Sequence, residues 1–217
     1  QNLRSSRFDF LMRALARTES ETAIPPLLAV VNSGRQPYVA LAIQQLANLH
    51  TLGGAQAAIE PILKTLSGSP SPETLLTAAT ALSVLAPKGH PQVTESLRGL
   101  LLTHDGEVGW SIALALARLG SSAGKSTLLD LMDRKYLESG PWYRQVDAAG
   151  NVQSHPLPTE RVKALMIAAM DAAANLDDTD LWSMIDRLKS DASPAVKGKA
   201  MELTGRRTRP TGSGGNG

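Results

Sequence analysis

The stretch "VGWSIALALARLGSSAGKSTLLDLM", residues 108–132, decides the fold. It reads as two short amphipathic helices, "GWSIALALARL" and "STLLDLM", divided by a turn of glycine and serine. In that reading Gly120 is the left-handed residue that ends the first helix, and Ser121 or Ser122 caps the second. The same turn carries Gly124-Lys125-Ser126, which invites comparison with a phosphate-binding loop. Such a loop needs four residues between its first glycine and the Gly-Lys pair, and it follows a buried strand. Here Gly120 and Gly124 enclose only three residues, and a helix precedes them. Lys125 and Ser126 are therefore read as ordinary residues of a helical first turn.

Working outward, both halves of this stretch recur. "PPLLAVV", "PILKTL", "ESLRGLLL", "STLLDLM" and "WSMIDRL" form one series, aligned on Leu28, Leu63, Leu97, Leu129 and Ile185 with steps of 35, 34, 32 and 56. "VALAIQQLANL", "LLTAATALSVL", "GWSIALALARL" and "MIAAMDAAANL" form the other, aligned on Leu49, Leu85, Leu119 and Leu176 with steps of 36, 34 and 57. Two independent ladders share a period of 32–36 residues and one long step, so a single insertion lies near 135–158. A two-helix unit of this period predicts an all-α fold, an α-solenoid of stacked antiparallel helix pairs, about five of them. Ala42, Ala78, Ala79, Ala115 and Ala173 allow the paired helices to approach closely.

The passages "VGWSIALALARLGSSAGKSTLLDLM", "PYVALAIQQLANL", "TAIPPLLAVVNSG" and "SPAVKGKAMELTGR" make residues 20–205 resemble the HEAT-repeat superfamily, in particular the short HEAT-like repeats of the phycobilisome-lyase type. The usual Asp and Arg of the turn between helices are mostly replaced here, by "LGSSAG" and "LAPKGH". The tetratricopeptide signature and the ankyrin "TPLH" turn do not occur. The resemblance implies a scaffold that holds another protein or peptide. Some relatives are chromophore lyases or DNA-repair glycosylases, so an enzyme or enzyme subunit stands as an alternative, as does a nucleic-acid binder.

Composition agrees with closely packed helices, being 42% hydrophobic but only 4% aromatic. With no cysteine, a thiolate zinc site, a disulfide framework and a cysteine nucleophile are excluded. No apolar run approaches a membrane span or a signal peptide, so the chain reads as soluble, with a lean to the cytoplasm. Its Gln1 start leaves open a processed, exported form or a fragment. Net charge is only +2, which disfavours a dedicated nucleic-acid surface. Arg118, Lys125, Arg134, Lys135, Lys163, Lys197, Lys199, Arg206, Arg207 and Arg209 would make such a surface only by lining up on one face. The array is expected to occupy residues 1–205, with 206–217 as a flexible basic, glycine-rich tail. "RSSRFDFLMRALART" is expected to form a charged end cap.

The insertion "KYLESGPWYRQVDAAGNVQSHPLPTE" supplies the candidate binding residues Trp142, Tyr143, Arg144 and Tyr136, because aromatic and arginine side chains on loops are common interface anchors. The alternation in "YRQVDAAGNVQS" predicts a β-hairpin turning at Ala148-Ala149-Gly150-Asn151. The competing reading folds these aromatics back over the end of a helix pair. Trp110 and Trp182 are weaker candidates, since each also fits a core position. No catalytic residue, cofactor or metal is assigned. "NLDDTDLW" reads as a helix start capped by Asp178 or Thr179, and His50, His90, His104 and His155 lack the spacing of a helical metal site. An enzyme would need a carboxylate such as Asp147 facing Trp142 or Tyr143.

Overall fold

A computed structural model describes residues 2–35, 38–146 and 152–208. It divides into two compact units, 1–123 and 124–217. Unit 1 contains α1 (Asn2–Ala16), α2 (Ile24–Ser33), α3 (Tyr38–Asn48), α4 (Ile59–Leu66), α5 (Pro72–Leu85), α6 (Pro91–Leu101) and α7 (Gly106–Arg118). Unit 2 contains α8 (Lys125–Met132), α9 (Arg134–Ser139), the strands β1 (Tyr143–Val146) and β2 (Val152–His155), then α10 (Thr159–Ala173), α11 (Thr179–Arg187) and α12 (Pro194–Thr208).

Helix starts follow from local chemistry. Prolines stand in the first turns of α2, α5 and α6, where the N–H they lack has no helical partner. Oxygens of Ser71, Asp133 and Asp178 accept the free N–H groups at the starts of α5, α9 and α11. Helix α7 ends as the sequence predicts. Gly120 takes φ +84°, Ser121 N–H bonds the Leu116 carbonyl, and Gly120 N–H bonds that of Ala117. The Ser121 hydroxyl then accepts the Ala123 N–H.

In unit 1 the helices form two layers. Helices α2, α4 and α6 pack in one; α1, α3, α5 and α7 pack successively in the other; and α2–α3, α4–α5 and α6–α7 pair across the core. Unit 2 repeats the plan, α8 and α11 in one layer and α10 and α12 in the other, with α8–α10 and α11–α12 packed together. The two recurring segment types are these two layers, which is the all-α solenoid class. The small α9 and the antiparallel pair β1–β2, in register Tyr143↔His155 and Arg144↔Ser154, lie between α8 and α10.

Leu49, Leu85, Leu119 and Leu176, the rungs of the second ladder, are all buried. In the first ladder Leu28 and Leu129 are only half-buried, and their neighbours Leu27 and Leu128 face the core instead. Consecutive helical residues point about 100° apart, so one member of a Leu-Leu pair must turn away. Two boundaries also differ from the sequence expectation. Helix α12 continues past 205 to Thr208, and the array falls into two units at 123/124. The N-terminal helix is less polar outside than an end cap should be, with Phe10 68% and Leu11 61% exposed. Residues 8, 10 and 11 of a helix cannot all face one layer, so Phe8 stacks edge-on against Tyr38, at 4.8 Å, while the other two stay outside.

Candidate functional site

The insertion brings two of its candidate residues together. Tyr136 lies on α9 and Trp142 just before β1, their rings 4.9 Å apart and tilted by 46°. The Trp142 indole N–H donates to the Tyr136 carbonyl at 3.3 Å, so it occupies an acceptor freed at the end of α9. Gly140 makes this possible: a Cβ there would lie 2.0 Å from the indole. Tyr143 and Arg144 open β1 beside this pair. The expected turn at Ala148–Asn151, with Asp147, lies outside the described residues, as does Arg209 in the tail.

Trp110 is buried, and Trp182 is half-buried with its N–H on the Leu176 carbonyl and the Arg207 guanidinium 4.6 Å above its ring. Both tryptophans are thus held by the fold. The histidines described with side-chain partners are local too: His50 and His104 meet the carbonyls of Ala47 and Leu100, and His90 accepts the Val93 N–H. Among the described residues no group of three or more His, Cys, Asp or Glu is gathered as a metal ion would require.

Lys125 is more than a residue of a first turn. Its ammonium lies 2.8 Å from Asp178 and 2.7 Å from Asp180, which places two carboxylates beside the start of α8. Hydrogen bonding to Asp178, then to Asp180, raises the Lys125 pKa, and Lys125 in turn holds Asp178 below the usual carboxylate range. Carboxylates where a phosphate would sit, after helix α7 rather than a strand, leave no phosphate-binding loop here.

Much of the proposed basic face is likewise paired within unit 2, at Arg134, Lys163, Lys199, Arg206 and Arg207, though among the described residues not at Lys135 or Lys197. Arg134 forks onto Asp191 at 3.1 and 2.6 Å and reaches Glu138 at 3.2 Å. Lys163 pairs with Glu160, Lys199 with Asp171 and Glu202, Arg206 with Glu202, and Arg207 with Asp177. Burial pushes the Asp191 carboxyl up, but Arg134 and the Ser193 N–H together hold it below its ordinary range.

A second surface, which the sequence reading did not select, runs over the α1–α3–α5 layer of unit 1. Two neighbouring depressions of about 300 Å³ each share Gln44 and Asn48 in their walls and together form a groove-like surface. Arg13, Arg17 and Glu19 stand at its α1 end; Gln44, Gln45 and Asn48 form its middle; Leu76, Thr77 and Thr80 its α5 end. Spacings of four residues put Arg13 with Arg17, Gln44 with Asn48, and Leu76 with Thr80 on common helix faces. Thr77 and Thr80 donate to the carbonyls of Glu73 and Leu76, which leaves their oxygens able to accept. Gln45 is only 5% exposed as a residue; its amide has no protein partner among the described residues and keeps its contact with solvent. The signal in the sequence was a single one: Gln45 is a polar residue within the apolar stripe that holds Ala42, Leu46 and Leu49.

Paired helices in two repeating layers define a helical-repeat architecture. Residues 50–138 match a family model described as HEAT repeats. The match is to HEAT repeats generally and does not extend to the phycobilisome-lyase type. HEAT repeats generally mediate protein interactions. No curated protein and no solved structure matches the chain. Among the described residues no helix is long and apolar enough to cross a membrane.

Proposed function

We propose that this chain is a non-catalytic scaffold that holds a protein or peptide partner on the α1–α3–α5 face of unit 1. Tyr136, Trp142, Tyr143 and Arg144 of the insertion provide a further contact. The observation that carries the reading is the pair of adjoining depressions across three successive helices of one layer, lined by amides and hydroxyls that the fold leaves open to a ligand. An extended chain laid across three helices spaced about 8–10 Å apart covers roughly 20 Å, about six residues. The reading favours a scaffold over an enzyme because the titratable groups with perturbed pKa values are engaged in ion pairs or, like Asp130, lie beside another acid. It favours protein over nucleic acid because Arg134, Lys199 and Arg207 of unit 2 are already paired with acids.

Site-specific photocrosslinking in the source cell tests it. A benzophenone amino acid at Thr77 on the groove is expected to capture a discrete protein, as is one at Lys135 on the insertion. The same group at exposed Gln92 on α6, in the other layer, is expected to capture none. Equal labelling at Thr77 and Gln92, or no protein product from Thr77, would overturn the reading.

A further inference from the structure

We propose that the groove across α1, α3 and α5 takes an extended acidic peptide, with Arg13 and Arg17 pairing its carboxylates and Gln45 hydrogen-bonding its main chain. This deepens the scaffold reading and rests on it. Gln45 lines the groove, and its amide has no protein partner among the described residues, so a ligand's main chain can replace the solvent that now meets its donor and acceptor.

The charges point the same way. Among the described residues Arg13 and Arg17 have no carboxylate within ion-pair distance, whereas the lysines and arginines of unit 2 treated above are matched to acids. Unpaired guanidiniums beside neutral amides attract carboxylates, and the guanidinium fork matches a carboxylate in two bonds. The amides then separate a peptide from a nucleic-acid strand. Gln44, Gln45 and Asn48 each offer both an N–H donor and a C=O acceptor. A peptide main chain satisfies both, while a phosphodiester backbone presents only acceptors. The groove also lacks the aromatic platforms on which single-stranded bases stack.

Glu19 sets the register. It is the one described non-glycine residue with positive φ, at +47°, and it holds a carboxylate at the α1 end of the groove. Acidic side chains of the ligand therefore fall beside Arg13 and Arg17 and turn away from Glu19, so the ligand's end at that position is neutral or basic.

The test is fluorescence anisotropy on the full chain with a labelled eight-residue peptide of alternating Glu and Ser, against its Lys-Ser counterpart and a ten-residue oligothymidine. The acidic peptide is expected to bind, more weakly as salt rises, and the Lys-Ser peptide not to bind. The double variant Arg13→Ala/Arg17→Ala is expected to weaken binding tenfold or more. Gln45→Met removes the amide at nearly constant shape, so about fivefold weaker binding is expected together with a Tm equal to or above that of the parent. A lower Tm for Gln45→Met would show the amide to be structural and overturn its role. Preference for the Lys-Ser peptide or oligothymidine, or binding indifferent to Arg13 and Arg17, would overturn the proposal. If the acidic peptide fails while Thr77 still crosslinks a protein, this inference falls and the scaffold reading stands. Loss of crosslinking at Thr77 overturns the scaffold reading itself.

Discussion

Unit 1 and unit 2 are built from the same two-layer plan but differ in how many of their basic side chains are matched to acids among the described residues. In unit 2, Lys125, Arg134, Lys163, Lys199, Arg206 and Arg207 all meet carboxylates, and Arg134–Asp191 is largely buried at the acid. In unit 1, Arg13 and Arg17 face a groove with no such partner among the described residues, next to the Gln45 amide, which also has no protein partner there. Charge that Arg134 and Lys199 use in ion pairs is left unpaired at Arg13 and Arg17. A basic residue in a repeat protein is therefore evidence of binding only where the structure has not already neutralised it.

The largest way to break this contrast is Asp191→Ala. It removes both bonds to Arg134 and the acceptor for the Ser193 N–H, and a loss of about 2 kcal/mol is expected in chemical denaturation. That is below the cost for a fully buried pair, since Arg134 keeps some contact with water and with Glu138. No change in stability would show the ion pair to be incidental.

Acid should act on the same contrast. Asp178, Asp191 and Glu202 sit below the ordinary carboxylate range, so the stability each contributes is present above its unfolded value of about 4 and is lost as pH falls through its lower folded value. Asp130 has the opposite sign: burial, then the neighbouring Asp133, raises it, and its contribution is lost as pH rises. With three carboxylates against one, Tm should fall as pH drops below about 4, and melts at pH 7, 5, 4 and 3 measure it. A Tm that holds to pH 3 would deny these ion pairs their role.

Two smaller effects sharpen the picture in unit 1. Glu19→Gly relieves a left-handed residue, so a gain of about 1 kcal/mol is expected, with tighter binding of an acidic ligand. Arg13→Ala and Arg17→Ala should each leave stability within about 0.5 kcal/mol of the parent, as exposed residues with no partner to lose. A larger loss from either would mean that the fold uses these arginines.

The repeat itself was legible because burial imposes a period. Leu49, Leu85, Leu119 and Leu176 are spaced as one layer requires, and all are in the core. The first ladder slipped at Leu28 and Leu129, where a Leu-Leu pair gives periodicity nothing to choose between. Asp178 and Gly120 could be assigned because capping and left-handed closure are local events. Lys125 could not, since its two partners lie more than fifty residues away in the chain. The groove was hidden for the same reason: Arg13, Gln45 and Thr77 come from three separate helices, and only packing puts them on one face. The insertion stood out by composition, yet its Tyr136–Trp142 pairing over Gly140 depends on a close approach that composition does not encode.

The most direct test of the central claim is amide chemical-shift mapping of the ¹⁵N-labelled full chain during titration with the Glu-Ser peptide. The account expects shifts concentrated at Gln44, Gln45, Asn48 and Thr77, including the side-chain amide of Gln45. Shifts confined to unit 2, or to α2, α4 and α6 in the other layer, would contradict it.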